Sequence, residues 1–141
     1  MVTIAAHASV VDAAQLMRKD HVGLLVVTEP VNDGHDARVN GVLTDRDIVT
    51  AVVAKGANPN TLTVGDVMAR NPVMVNEAHS LGHVLRLMRE SGVRRVPVLG
   101  NRDQLVGVLS VDDVLEALAV ELGDVSQAIR SGQMLERHSR P

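Results

Sequence analysis

Thr44 and Asp47 stand three residues apart directly behind the run "GVL", and Ser110 and Asp113 repeat the arrangement behind a second "GVL". Two chemistries suit a hydroxyl followed at that distance by a carboxylate. One is structural: at a helix start the hydroxyl accepts an orphan N–H of the first turn, and the acid reaches back or complements the helix dipole. The other is recognition. An ionised Asp accepts two hydrogen bonds at once, which matches the adjacent hydroxyls of a ribose, and each bond to a charged group contributes about 1.5–3 kcal/mol. The first-turn N–H groups and the hydroxyl are then placed to meet a phosphate. A cap accounts for one copy by itself. It does not account for both copies lying behind a glycine that leaves the backbone open to close approach.

Other polar groupings are weaker. In "VRRVPV" (93–98), Arg94 and Arg95 are adjacent on an expected strand, so their side chains point to opposite faces and only one lines a given cleft. Solvated edge charges are the plainer reading of both. His79 and His83 are four apart, but no third ligand lies near in sequence, so they read as a surface pair and not as zinc ligands. Asp45, Asp47, Asp112 and Asp113 have no nucleophile and neighbouring base beside them, and acids at helix starts have an ordinary electrostatic cause. No catalysis is expected.

An internal repeat must position these residues. "AAQLMRKDHVGLLVV" (13–27) aligns with "VLRLMRESGVRRVPV" (84–98), with Met17 on Met88, Val22 on Val93 and Val27 on Val98, 71 positions apart. The "GVL" blocks align 66 apart: Gly41 on Gly107, Thr44 on Ser110, Asp47 on Asp113. The difference falls in "EPVNDGHDARVN", a Pro-, Gly- and Asn-bearing hairpin loop matched by the shorter "GNRDQ". Each copy parses as a short extended lead-in (Val2–Ile4; Val73–Val75), a helix capped by Ser9 or Ser80, two strands, and a second helix (45–54; 111–122). The organisation is a first repeat at 1–56, a linker at 57–72 with at most a turn of helix at 64–69, a second repeat at 73–122, and a C-terminal helix or tail at 123–141. The fold class is α/β: two tandem β-α-β-β-α repeats, neither able to cover its own sheet, packed with pseudo-two-fold symmetry.

Bulk properties narrow the partners. The 141 residues are 45% hydrophobic and 22% charged, an ordinary soluble composition. A net charge of −3 opposes binding to nucleic acid, and the absence of Phe, Tyr and Trp removes the stacking platforms of single-strand binders. The first twenty residues lack a basic start and are interrupted by His7 and Asp12, unlike a signal peptide, and no apolar run approaches the ~18 residues of a membrane span. A cysteine-free chain suits a reducing compartment, and a cytoplasmic location is expected.

The tandem of lead-in, helix, "h-P-V" strand, "G-h-h-[ST]-x-x-D" and helix resembles the CBS domain pair, or Bateman module, over roughly Val2 to Leu122 and most closely over 93–118. With nothing else attached, it is similar to the stand-alone bacterial kind. The resemblance implies a regulatory module without catalysis and without a required cofactor, holding AMP, ADP or ATP in the cleft between the repeats, with NAD and S-adenosylmethionine less favoured. It implies Asp47 and Asp113 on ribose, Thr44 and Ser110 on ribose or phosphate, and Arg95, with Arg94 second, on phosphate. Pro97 falls on the family's strand proline. Gly23 and Leu24 replace the arginines in the first copy, so one competent and one weaker or empty pocket are expected. By the same analogy Thr3, Ile4, Val73 and Val75 form the adenine slot, although a place in the core suits them equally. The apolar stripes at 48–53 and 114–119 leave surface that a monomer covers poorly, and the resemblance implies that these helices pair into a flat homodimer, with room for an unknown regulated protein. The competing expectation is a ligand-free interaction module with vestigial pockets.

Overall fold

The computed structural model describes residues 2–31 and 36–139, with the side chains of its last helix described to Gln133. The first half runs β1 (Thr3–Ala5), α1 (Val10–Asp20), β2 (Leu24–Pro30), β3 (Ala37–Thr44) and α2 (Asp45–Ile48), which continues as a π-helical segment at Val49–Val53. A connection carries α3 (Val64–Val67) and β4 (Ala69–Arg70). The second half follows as β5 (Val75–Asn76), α4 (Leu81–Ser91), β6 (Arg95–Leu99), β7 (Leu105–Ser110) and α5 (Val111–Ser139).

The same local chemistry builds both halves. Ser9 Oγ accepts the N–H of Asp12 at 3.0 Å, and Ser80 Oγ accepts the N–H of His83 at 3.2 Å, so α1 and α4 start alike. Both end on a left-handed residue, His21 (φ 54°) and Gly92 (φ 66°), which closes the last turn. The helix is the crossover that lets β1 lie parallel to β2, and β5 parallel to β6. A hairpin then returns β3 and β7 antiparallel, with a bulge at matching places, Val27/Thr28 and Val98/Leu99.

Two sheets result, in the orders β1-β2-β3-β4 and β5-β6-β7, and β3 meets β7 between the halves. Each half has its own core. Ala13, Met17, Leu25, Val27, Leu43 and Val64 fill the first; Val75, Val84, Met88 and Val96 fill the second. Val64 shows that the connection packs on the first half: the N–H groups of Val64 and Gly65 donate to the carbonyls of Ala8 and Ala6, each at 2.8 Å.

Several boundaries differ from expectation. The lead-in strands start one or two residues late, and the first hairpin's strands extend into the expected loop, of which residues 32–35 lie outside the described residues. The helix of the first copy is interrupted. Four of the five residues of the π-helical segment, Val49, Thr50, Val52 and Val53, are β-branched and crowd an α-helix, and the Thr50 hydroxyl donates to the Arg46 carbonyl at 2.9 Å, competing with the backbone ladder. The second copy's helix does not stop near Leu122; it passes through Gly123 as one 29-residue helix.

Candidate ligand cleft

The two Thr/Ser-x-x-Asp motifs are capping boxes. The Thr44 N–H donates to Asp47 Oδ2 at 2.9 Å and the Asp47 N–H donates to Thr44 Oγ1 at 3.1 Å. In the second copy both reciprocal bonds, Ser110 N–H to Asp113 Oδ2 and Asp113 N–H to Ser110 Oγ, are 3.1 Å. Only Oδ2 of each acid is used in its box. Asp47 is half-buried and Asp113 exposed, so the second carboxylate has the freer approach.

The residue just before each hairpin is tied to the residue just after it. The Asp45 N–H donates to the Gly23 carbonyl at 3.0 Å, and the Val111 N–H donates to the Arg94 carbonyl at 2.8 Å. This tie places a post-helix turn (22–24 or 93–95) beside the cap of its own repeat. Packing of the halves then sets each turn against the cap of the other repeat.

Two pockets form in that cleft. The first, about 270 Å³, pairs Val22, Gly23 and Leu24 with Val108, Ser110 and Asp113, and is completed by Val2, His21 and Arg95. The second, about 320 Å³, pairs Val93, Arg94 and Arg95 with Val42 and Thr44, and is completed by Leu24, Ser110, Val111 and Asp112. Turn and cap residues correspond 71 and 66 positions apart, so the pockets are two-fold mates. Both lie near the lower end of the range for small-ligand sites, about 300–1,000 Å³, and they share Leu24, Arg95 and Ser110.

Their polar walls differ. The first holds Arg95 and His21 against one carboxylate, Asp113; the second holds Arg94 and Arg95 against Asp112. Arg94 Nη2 lies 3.9 Å from Asp112 Oδ1, with both side chains about four-fifths exposed, and such a pair contributes little. Strand alternation had been expected to bring only one arginine to a given cleft. Both line the second pocket because β6 begins at Arg95, which leaves Arg94 in the preceding turn, where alternation does not apply.

The remaining candidates lie elsewhere. Asp47 lines neither pocket. Val75 is buried in the second core, with Val73 packed against it; Ile4 packs on the first core and Thr3 is exposed on β1. The apolar wall of the first pocket is instead Val2, Val22, Leu24 and Val108. The repeat offsets were the available signal: Val22 and Leu24 are the mates of Val93 and Arg95. His79 and His83 stack with ring centroids 4.3 Å apart, and His79 Nδ1 accepts the Asn76 N–H at 3.0 Å. Among the described residues, no three His, Cys, Asp or Glu side chains gather as metal ligands would, and no helix is long and apolar enough to cross a membrane.

Known proteins share the repeats and the fold. A family model described as "CBS domain" matches residues 1–54 and again 64–120. Hypoxic response protein 1 of Mycobacterium tuberculosis is 38% identical over 112 residues, which are 79% of this chain and 74% of that protein. A hexameric CBS-CP12 protein from bloom-forming cyanobacteria superimposes with a TM-score of 0.69 at 37% identity, over 82% of this chain but only 61% of its own. A putative signal-transduction protein with CBS domains from Burkholderia ambifaria gives a TM-score of 0.71 at 28% identity, over 84% and 82% of the two chains.

Proposed function

The chain belongs to the CBS-domain family, and we propose that it is a non-catalytic, cytoplasmic sensor of adenine nucleotides that works as a homodimer. The observation that carries this reading is the pair of two-fold-related pockets, each joining the cap of one repeat to the post-helix turn of the other. A ligand there touches both halves at once. Its binding therefore changes their relative packing to the extent that it favours one arrangement over another.

The first pocket suits a nucleoside phosphate. Asp113 offers a carboxylate oxygen to ribose hydroxyls, Arg95 offers a planar cationic fork to phosphate, and four aliphatic side chains make the apolar wall that a base requires. AMP, ADP and ATP fit this charge pattern; NAD and S-adenosylmethionine rank below them. The second pocket, with two arginines but no Asp47, suits a phosphate better than a ribose. A hexameric relative and exposed Val49, Val53 and Leu115 support self-association through the 48–53 and 114–119 faces.

Calorimetric titration with AMP, ADP, ATP, NAD and S-adenosylmethionine tests the reading. Saturable binding is expected, strongest for AMP, ADP or ATP, and Asp113→Ala should weaken it about tenfold, or ~1.4 kcal/mol. Binding of none of the five would leave the second reading, a ligand-free interaction module. What favours that alternative is the engagement of both acids in capping boxes.

A further inference from the structure

The two pockets of the cleft run into each other. Leu24, Arg95 and Ser110 line both, so one guanidinium and one hydroxyl stand where the pockets meet. The groups on either side differ. Asp113 lines the first pocket alone, whereas Arg94 and Asp112 line the second alone. The cleft therefore presents, in order, a carboxylate, a cationic fork with a hydroxyl, and a second arginine beside a second acid.

That order matches one molecule laid across both pockets. Asp113 commits Oδ2 to the Ser110 N–H at 3.1 Å, which leaves Oδ1 for a ribose diol. A first phosphate then meets Arg95, which has no ion-pair partner among the described residues. Phosphates beyond it run toward Arg94 in the second pocket. Two separate nucleotides would instead crowd their phosphates onto the one shared guanidinium, and like charges at that range repel. A second ribose also finds no free acid, since Asp47 lines neither pocket and Asp112 lies 3.9 Å from Arg94.

Building on the sensor reading, we infer that the joined pockets hold a single nucleotide, and that Arg94 and Asp112 set how many phosphates it carries. The Arg94 and Asp112 side chains are 79% and 82% exposed, so their pair is loose and Arg94 can turn to an incoming phosphate. AMP ends at Arg95 and gains nothing from Arg94. ADP and ATP reach Arg94 against the charge of Asp112. Affinity therefore rises with each added phosphate, by less than an unopposed arginine would give.

The chain has no Phe, Tyr or Trp, so bound adenine is read directly by its ultraviolet absorbance in equilibrium dialysis. One ATP per chain is expected at saturation, and AMP should displace it. Arg94→Ala should weaken ATP about fivefold and AMP less than about twofold, the gain of a charged hydrogen bond at an exposed site. Asp112→Asn should tighten ATP about twofold and leave AMP as it is. Both side chains stand in solvent, so neither change disturbs a core. Two ATP per chain, equal loss of AMP and ATP in Arg94→Ala, or an Asp112→Asn variant that treats the two alike would overturn the shared cleft and leave the sensor reading standing. Binding of neither nucleotide to the unaltered chain would overturn both.

Discussion

Gly41 and Gly107 occupy matching places in the two repeats, and their surroundings are opposite. A Cβ on Gly41 would fall 2.5 Å from the Ala69 carbonyl oxygen and 3.0 Å from Met68 Sδ, because β4 lies against β3 at that point. A Cβ on Gly107 would meet nothing within 4 Å. The connection wraps the first half, closing its sheet with a fourth strand and its core with Val64. The matching ledge of the second half, Glu77 to Ser80, is exposed, and after β7 the chain continues as α5 instead of wrapping back over it. One local grammar therefore makes a sealed half and an open half, and the neighbours decide which.

The largest contrast should come from the glycines themselves. Gly41→Ala forces backbone apart and should cost about 1–3 kcal/mol, whereas Gly107→Ala should stay within about 0.5 kcal/mol. Denaturant unfolding of the two variants measures the difference; equal losses would mean that β4 does not press on β3. At the cleft, Arg95 serves both pockets and Arg94 only one. Arg95→Ala should therefore lower nucleotide affinity about tenfold, near 1.4 kcal/mol, and Arg94→Ala less, with adenosine affected by neither. Titration with nucleotide and nucleoside in parallel separates these cases.

The caps give a smaller effect. Thr44→Ala and Ser110→Ala should each lose about 1 kcal/mol of stability, since each hydroxyl accepts a first-turn N–H. Ser110 lines both pockets and Thr44 one, so Ser110→Ala should weaken binding more than Thr44→Ala does. The slightest effect belongs to a cap found in the connection alone. Asp66 has its pKa lowered, first by the backbone N–H of Thr63, which donates to Oδ2 at 2.9 Å, and then by the Thr63 hydroxyl. A depressed folded-state pKa means that its stabilisation is present above the unfolded value, near 3.9, and fades as pH falls through the lower folded one. Acidification below about pH 4 should thus loosen the amides of α3 and β4, seen as faster hydrogen exchange. Unchanged exchange there would remove the connection's cap from the explanation.

Much of this was legible before any coordinates. The serine caps, the paired Thr/Ser-x-x-Asp boxes, the strand pairs and the repeat offsets are local signals, and local hydrogen bonding produced them. What escaped depends on neighbours distant in sequence. β4 is two residues with no strand pattern of their own, and they pair because Gly41 admits them. Gly123 reads as a helix stop, yet a glycine is tolerated in a helix and nothing after it imposes a turn. The cleft's aliphatic walls were hidden for a related reason: Val22, Leu24 and Val108 look like any strand residues until the second half is set against them. One copy of the hydroxyl–acid motif suffices to suggest a cap, and both caps form; only its repetition suggested a ligand.

The sensor reading meets its most direct test in backbone-amide NMR of the chain titrated with ATP, followed residue by residue. The expected result is saturable shifts at Gly23, Leu24, Arg95, Val108, Ser110 and Asp113, the residues of the cleft. Spectra that do not move, or shifts confined to the apolar groove between α1 and the π-helical segment around Val11, Ala14 and Val53, would contradict it.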